Sequence, residues 1–165
     1  MTAPDAGAAK PLLQAADRWH IDAACRDTIV RAARLADQGN ADGLAALFTE
    51  DAELQRPNGA LLQGRAAIAA AYAARPAHRI SRHLLATPLV DVEAPDVARA
   101  HTLVLLASGD AQDASGPQGR PWHGALVVGC FEDRLRLGPD GHWRLWRRQA
   151  HFELHGAAQA LPTMP

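Results

Sequence analysis

Cysteine, tyrosine and long apolar runs are scarce in this chain of 165 residues, and each scarcity removes a class of protein. Two cysteines, Cys25 and Cys130, are too few for a disulfide scaffold, and no Cys-x-x-Cys spacing is present. Both read as small buried hydrophobes, which suits a reducing cytoplasm. No apolar stretch approaches the roughly 20 residues that a membrane span needs. The first residues, rich in Ala, Gly and Pro, lack the basic and then apolar regions of a signal peptide. Neither sign of charge is in excess: 17 basic and 18 acidic side chains give −1, which recommends neither nucleic acid nor an anionic membrane as a partner. What is present is ordinary for a globular protein. With 48% hydrophobic and 21% charged residues, one domain of this length can bury a sufficient core.

Periodicity divides the chain. Residues 1–16 and 156–165 show no repeat and read as tails around a domain of residues 17–155. From about His20 to Gln38, Ile21, Ala24, Cys25, Thr28, Ile29, Ala32, Ala33 and Ala36 recur at helical spacing, and Gly39-Asn40 is a stop signal. A short helix, Asp42 to Phe48, follows. Ala52 to Arg56 reads as a strand, and Pro57-Asn58-Gly59 as a hairpin turn into Leu61 and Leu62. Arg65 to Arg75 is an Ala-rich helix that Pro76 ends. The remainder reads as β: Ile80 to Val92 with Pro88 at a bulge or edge, Val97 to Ala107, Trp122 to Leu137, and His142 to Leu154. Ser108 to Pro121 reads as an exposed loop. Helices first and then mostly antiparallel strands make an α+β arrangement, in which a curved sheet wrapped on one long helix encloses a pocket.

Three stretches carry a family resemblance. The first is Asp37-Gln38-Gly39-Asn40 with Leu47-Phe48-Thr49-Glu50-Asp51-Ala52. The second is Gly64-Arg65-Ala66 with Ser81-Arg82-His83. The third is Gly129-Cys130-Phe131-Glu132-Asp133 with Asp140-Gly141-His142-Trp143 and Arg148. In this order and spacing the chain resembles the SnoaL-like group of the nuclear transport factor 2-like superfamily. That group has relatives among scytalone dehydratase, bile-acid dehydratase and the ketosteroid isomerases. The resemblance implies an α+β cone: a curved antiparallel or mixed sheet around a long N-terminal helix with two shorter helices. It also implies a homodimer or homotrimer.

Function hangs on Asp37 and His83. In the dehydratase relatives a histidine at the His83 position is the general acid/base, and an aspartate at the Asp37 position orients it. Imidazole titrates near neutrality, and a carboxylate on one ring nitrogen fixes its tautomer. Asp37 also ends a helix, where the macrodipole disfavours a negative charge, so a tertiary contact is expected to hold it there. His101, on the neighbouring strand, is expected to project into the same cavity. Cys130 is expected to line it, and Trp19 and Trp122 to close its mouth. Trp143 and Trp146 have opposite strand parity, so one belongs to the core and the other to a surface.

Two departures count against a simple transfer of activity. The relatives carry a tyrosine five residues before the aspartate or immediately before it, where this chain has Ala32 and Ala36. Its only tyrosine, Tyr72, lies in the third helix. His151-Phe-Glu-Leu-His155 is not a metalloprotease motif, because the Glu is misplaced and the context is strand, so no metal or other cofactor is expected. The Arg134, Arg136, Arg144, Arg147 and Arg148 cluster reads as the solvated face of a hairpin. The expectation is a cofactor-free lyase or isomerase acting on a hydrophobic or polyketide-like carbonyl compound. The alternative is a passive ligand-binding or assembly module of the same fold.

Overall fold

The computed structural model describes residues 13–122 and 126–156. Helix α1 spans Ala15–Asp37 and α2 spans Ala41–Ala46. Asn40 caps α2 by accepting the Gly43 N–H at 2.8 Å. Strands β1 (Phe48–Gln55) and β2 (Leu61–Gln63) form the first hairpin, and Gly59, at φ +84°, supplies its tight turn. Helix α3 (Arg65–Ala73) precedes β3 (Arg79–Leu85), β4 (Leu89–Ala94), β5 (Val97–Asp110), β6 (Leu126–Leu137) and β7 (Trp143–Gly156).

The seven strands form one mixed sheet in the order β2-β1-β7-β6-β5-β3, with β4 also paired to β5. Among the described residues only β1 and β7 run parallel; the other pairs are antiparallel. Helix α1 lies on the concave face. Cys25, Ile29, Ala32 and Ala36 pack there against Ala98, Ala100, Leu135, Trp143 and Leu145, and this apolar layer is the core. Trp143 belongs to this layer at 8% exposure, with Phe48 in the same core. Trp146 faces outward, with the Arg136 guanidinium 3.2 Å from its ring centre. Of the two tryptophans of opposite parity, Trp143 is therefore the one inside.

Several boundaries differ from the sequence reading for physical reasons. α1 begins five residues early because nothing in Ala15-Ala16-Asp17 breaks a helix. Phe48 leaves the second helix and opens β1, where it is 1% exposed. The strand expected over residues 80–92 is two strands, broken at residues 86–88 by Pro88, which offers no N–H to a ladder. β5 runs past Ser108 to Asp110 because β3 pairs with it to its end, Arg79 opposite Asp110. Of the strand expected from Trp122 to Leu137, residues 126–137 form β6. Trp122 makes only an isolated bridge to Gly109. Most of the two expected tails, residues 1–12 and 157–165, lie outside the described residues.

Two irregularities in the β6–β7 ladder steer side chains. The register shifts between Arg134 and Leu135, so Trp146 is an extra residue on β7. It shifts again between Val128 and Gly129. At Gly129 a Cβ would collide with the His151 carbonyl, so only glycine allows β7 to approach this closely.

Candidate active site

Asp37 is the last residue of α1, and His83 sits in the middle of β3. The two elements meet at the β3 edge of the sheet. The His83 ring donates its Nδ1–H to Asp37 Oδ1 at 2.6 Å, and its backbone N–H donates to Oδ2 at 2.8 Å. Ser81, two residues earlier on the same strand face, donates its hydroxyl to Oδ1 at 2.9 Å. Both side chains of the pair are largely buried, 12% and 14% exposed. These bonds are the tertiary reason for a carboxylate at the wrong end of a helix dipole. Burial pushes the Asp37 carboxyl up, but the hydrogen bonds and the charge of His83, with the Ser81 bond, outweigh it. The group therefore sits below its ordinary 3.8. An ionised Asp37 can only accept, so Nδ1 carries a proton, and in the neutral ring the lone pair is on Nε2. Nε2 makes no hydrogen bond among the described residues.

His83 lines a cavity of about 120 Å³ inside the cone. Leu54, Val104, Leu106 and Phe131 supply its apolar wall, and Tyr72 on α3 contributes the one phenol of the chain. The Phe131 ring lies 6.2 Å from the His83 ring, tilted by 43°. Behind Phe131, and 4.2 Å from its ring centre, is the Arg148 guanidinium. Arg148 makes a two-pronged pair with Asp133, both bonds 2.7 Å, with side chains 7% and 0% exposed. Asp37, His83, Phe131, Arg148 and Asp133 thus form a continuous line from helix to sheet.

The other expected site residues fare differently. Cys130 is among the residues that border the cavity, although its strand position pairs it with the exposed Leu103 rather than with the inner Thr102. Burial, helped by the neighbouring Glu153, pushes its thiol up to about 11, so it stays protonated near neutral pH and is no nucleophile. His101 is not brought to the cavity. On β5 the buried side alternates through Ala98, Ala100, Thr102 and Val104, which turns His101 to the outer face. There it lines a larger hollow of about 730 Å³ with Arg99, Glu132, Arg134, Arg147 and Gln149. That hollow holds no part of the Asp37–His83 pair, and its charges are mostly tied up in surface ion pairs such as Arg134–Glu93 and Arg147–Glu53. Trp19 is 71% exposed on α1 and Trp122 46% exposed; both side chains face solvent and neither lines the cavity. Arg148 leaves the solvated arginine face assigned to it, because the extra residue at Trp146 reverses the parity of β7.

Sequence reasoning left two members without a role. Alternation already puts Ser81 on the face of His83. Tyr72 follows the fully buried Ile68 by four residues, the spacing that puts both on one side of a helix.

Residues 17–149 match the SnoaL-like domain family. The chain belongs to that family. Solved structures agree on the fold. A scytalone dehydratase-like protein from Novosphingobium aromaticivorans is similar at 18% identity, with a TM-score of 0.74, over 90% of this chain and 94% of that one. A second protein of the same organism, described as nuclear transport factor 2-like with a cystatin-like fold, is 28% identical. It has a TM-score of 0.64 over 82% of this chain and 84% of its own. A type 2 hexachlorocyclohexane dehydrochlorinase is 14% identical with a TM-score of 0.73, over 92% and 98%. Comparison with curated proteins finds no match. The cone fold of the nuclear transport factor 2-like superfamily is thereby established. Among the described residues no helix is long and apolar enough to cross a membrane.

Proposed function

We propose that this SnoaL-like protein is a cofactor-free lyase or isomerase, with elimination of water from a carbonyl compound as its first-ranked reaction. The observation that carries this reading is the hydrogen bond from His83 Nδ1 to Asp37 at the wall of a cavity. Nε2 of His83 takes the proton from the carbon next to a carbonyl, and the C–H electrons form the new C=C bond. The C–OH bond on the neighbouring carbon breaks, and the departing oxygen collects the proton from the imidazolium as water. Asp37 holds the ring in the required tautomer and stabilises its transient charge. Two of the structural relatives are named for eliminations, of water and of hydrogen chloride, which supports the reaction class.

Isomerisation or cyclisation uses the same proton transfer without a leaving group and ranks second. The rival is a passive binding module. It is favoured by Ala32 and Ala36, both buried in the core where relatives carry a tyrosine. Tyr72 weighs against it, because it supplies a phenol to the same cavity from a different element.

The test is a panel of hydrophobic ketones and β-hydroxy ketones, incubated in deuterated buffer and followed by mass spectrometry. The expected result is loss of water or uptake of deuterium, slowed by about 10²–10⁴ in His83→Ala with folding retained. Exchange that proceeds equally in His83→Ala, or no exchange with any compound, favours the binding module.

A further inference from the structure

Among the described residues, the lining of the His83 cavity includes four arginines, Arg56, Arg75, Arg79 and Arg148, and no aspartate or glutamate. Arg148 is neutralised by Asp133. The other three have no carboxylate partner among the described residues. They come from three separate segments: the turn after β1, the end of α3 and the start of β3. Elsewhere in this nearly neutral chain most arginines of the sheet are paired with acids, as at Arg99–Asp91, Arg134–Glu93, Arg136–Asp51 and Arg147–Glu53, while Arg82 donates to the Ser81 carbonyl. The cavity mouth departs from that pattern.

Arg75 is half-buried, with its guanidinium 5.2 Å from the centre of the Tyr72 ring. Burial lowers its pKa, and the positive charges of Arg79 and Arg56 lower it further against the attraction of Tyr72. Arg79 and Arg56 are therefore both close enough to repel Arg75. The nearest internal counter-charge, Asp37, has both oxygens occupied by His83 and Ser81. Gathering like charges on a concave, partly dry surface is unfavourable unless an anion covers them, and a guanidinium fork is the natural partner of a carboxylate or phosphate.

We propose that Arg56, Arg75 and Arg79 form an anion-binding subsite at the mouth of the His83 cavity, and that the substrate is a small amphipathic anion. Its apolar part with the reacting carbonyl enters between Leu54, Val104 and Leu106, and its carboxylate or phosphate stays at the arginines. The assignment of the substrate rests on His83 as the base; the anion preference does not.

The test uses the full chain and three probes of one shape: benzoate, phenyl phosphate and neutral benzamide, titrated by calorimetry and by ligand-observed NMR. The expected result is that one of the two anions binds at least about tenfold tighter than benzamide. A benzoate preference identifies a carboxylic acid substrate, and a phenyl phosphate preference a phosphate ester. The advantage falls in Arg79→Gln, an exposed position where folding is safe, and disappears in the Arg56→Gln/Arg75→Gln/Arg79→Gln triple variant. Equal binding of all three probes overturns the subsite, as does an anion preference that survives in the triple variant. The two readings separate cleanly. Neutral ketones turned over by a protein indifferent to anions would sink the subsite and leave the base in place. An anion preference kept in a protein that acts on no keto acid or keto phosphate would sink the base and leave a binding site for anions.

Discussion

Replacing Asp37 by Asn tests the pairing at the level of single protons. Asp37 accepts three hydrogen bonds, from the His83 ring, the His83 backbone and Ser81. Asparagine offers one oxygen and one NH₂, so one side of the group becomes a donor. If the NH₂ takes the Oδ2 position it faces the His83 backbone N–H, donor against donor, which costs about 1–3 kcal/mol. The other rotamer avoids this: the oxygen keeps the backbone bond and the NH₂ faces Ser81 and Nδ1. The serine hydroxyl can turn and accept. Nδ1 can accept only by giving up its proton, which moves to Nε2. The ring then offers the substrate an N–H where it had a lone pair, and turnover is expected to fall by about 10²–10⁴. Stability should change less, by about 1–3 kcal/mol near neutral pH, since charged hydrogen bonds become neutral ones. The sign with pH follows from the depressed carboxyl of Asp37 in the folded state. Its contribution is complete above the ordinary value of 3.8 and is lost as pH falls below that through the folded value. The parent and the Asn variant should therefore converge in stability only below about pH 4. Nitrogen-15 NMR of the His83 ring reads the tautomer directly, alongside turnover and denaturant melts. An Asn variant with parental turnover, or lost turnover with an unchanged tautomer, would refute the mechanism.

Other substitutions probe the rest of the line. Tyr72→Phe removes the one phenol of the cavity wall; if that hydroxyl holds the substrate oxygen, kcat falls by about 10²–10³ while the melting curve stays put. Asp133→Asn leaves the Arg148 charge buried without its partner and should destabilise the fold by about 3–5 kcal/mol in urea titration, the largest loss of stability in this set. His101→Ala should leave turnover unchanged, because that side chain faces away from the cavity; a loss of activity without a loss of stability would put the reacting centre on the outer face.

The elements that sequence disclosed are those whose signal is local. The α1 stripe, the Asn-Gly turn and the alternation that groups Ser81 with His83 each follow from one period or one turn residue. The Asp37–His83 contact was legible because a carboxylate at a helix C-terminus needs a tertiary partner, and the family resemblance pairs that position with His83. What was hidden depends on the partner strand. Strict alternation from Trp143 puts Arg148 outside; the extra residue at Trp146 exists only because β6 has no counterpart for it, and that single shift turns the arginine inward onto Asp133 and Phe131. The error at His101 has the opposite origin. There the alternation is unbroken, and the buried alanines at 98 and 100 already mark the inner face, so the strand's own pattern outranks the neighbourhood of His83. The cationic mouth was hidden for a third reason. Arg56, Arg75 and Arg79 carry no motif, and a nearly neutral total conceals them. Only the fold, by bringing a turn, a helix end and a strand start together, shows that their balancing acids are spent elsewhere.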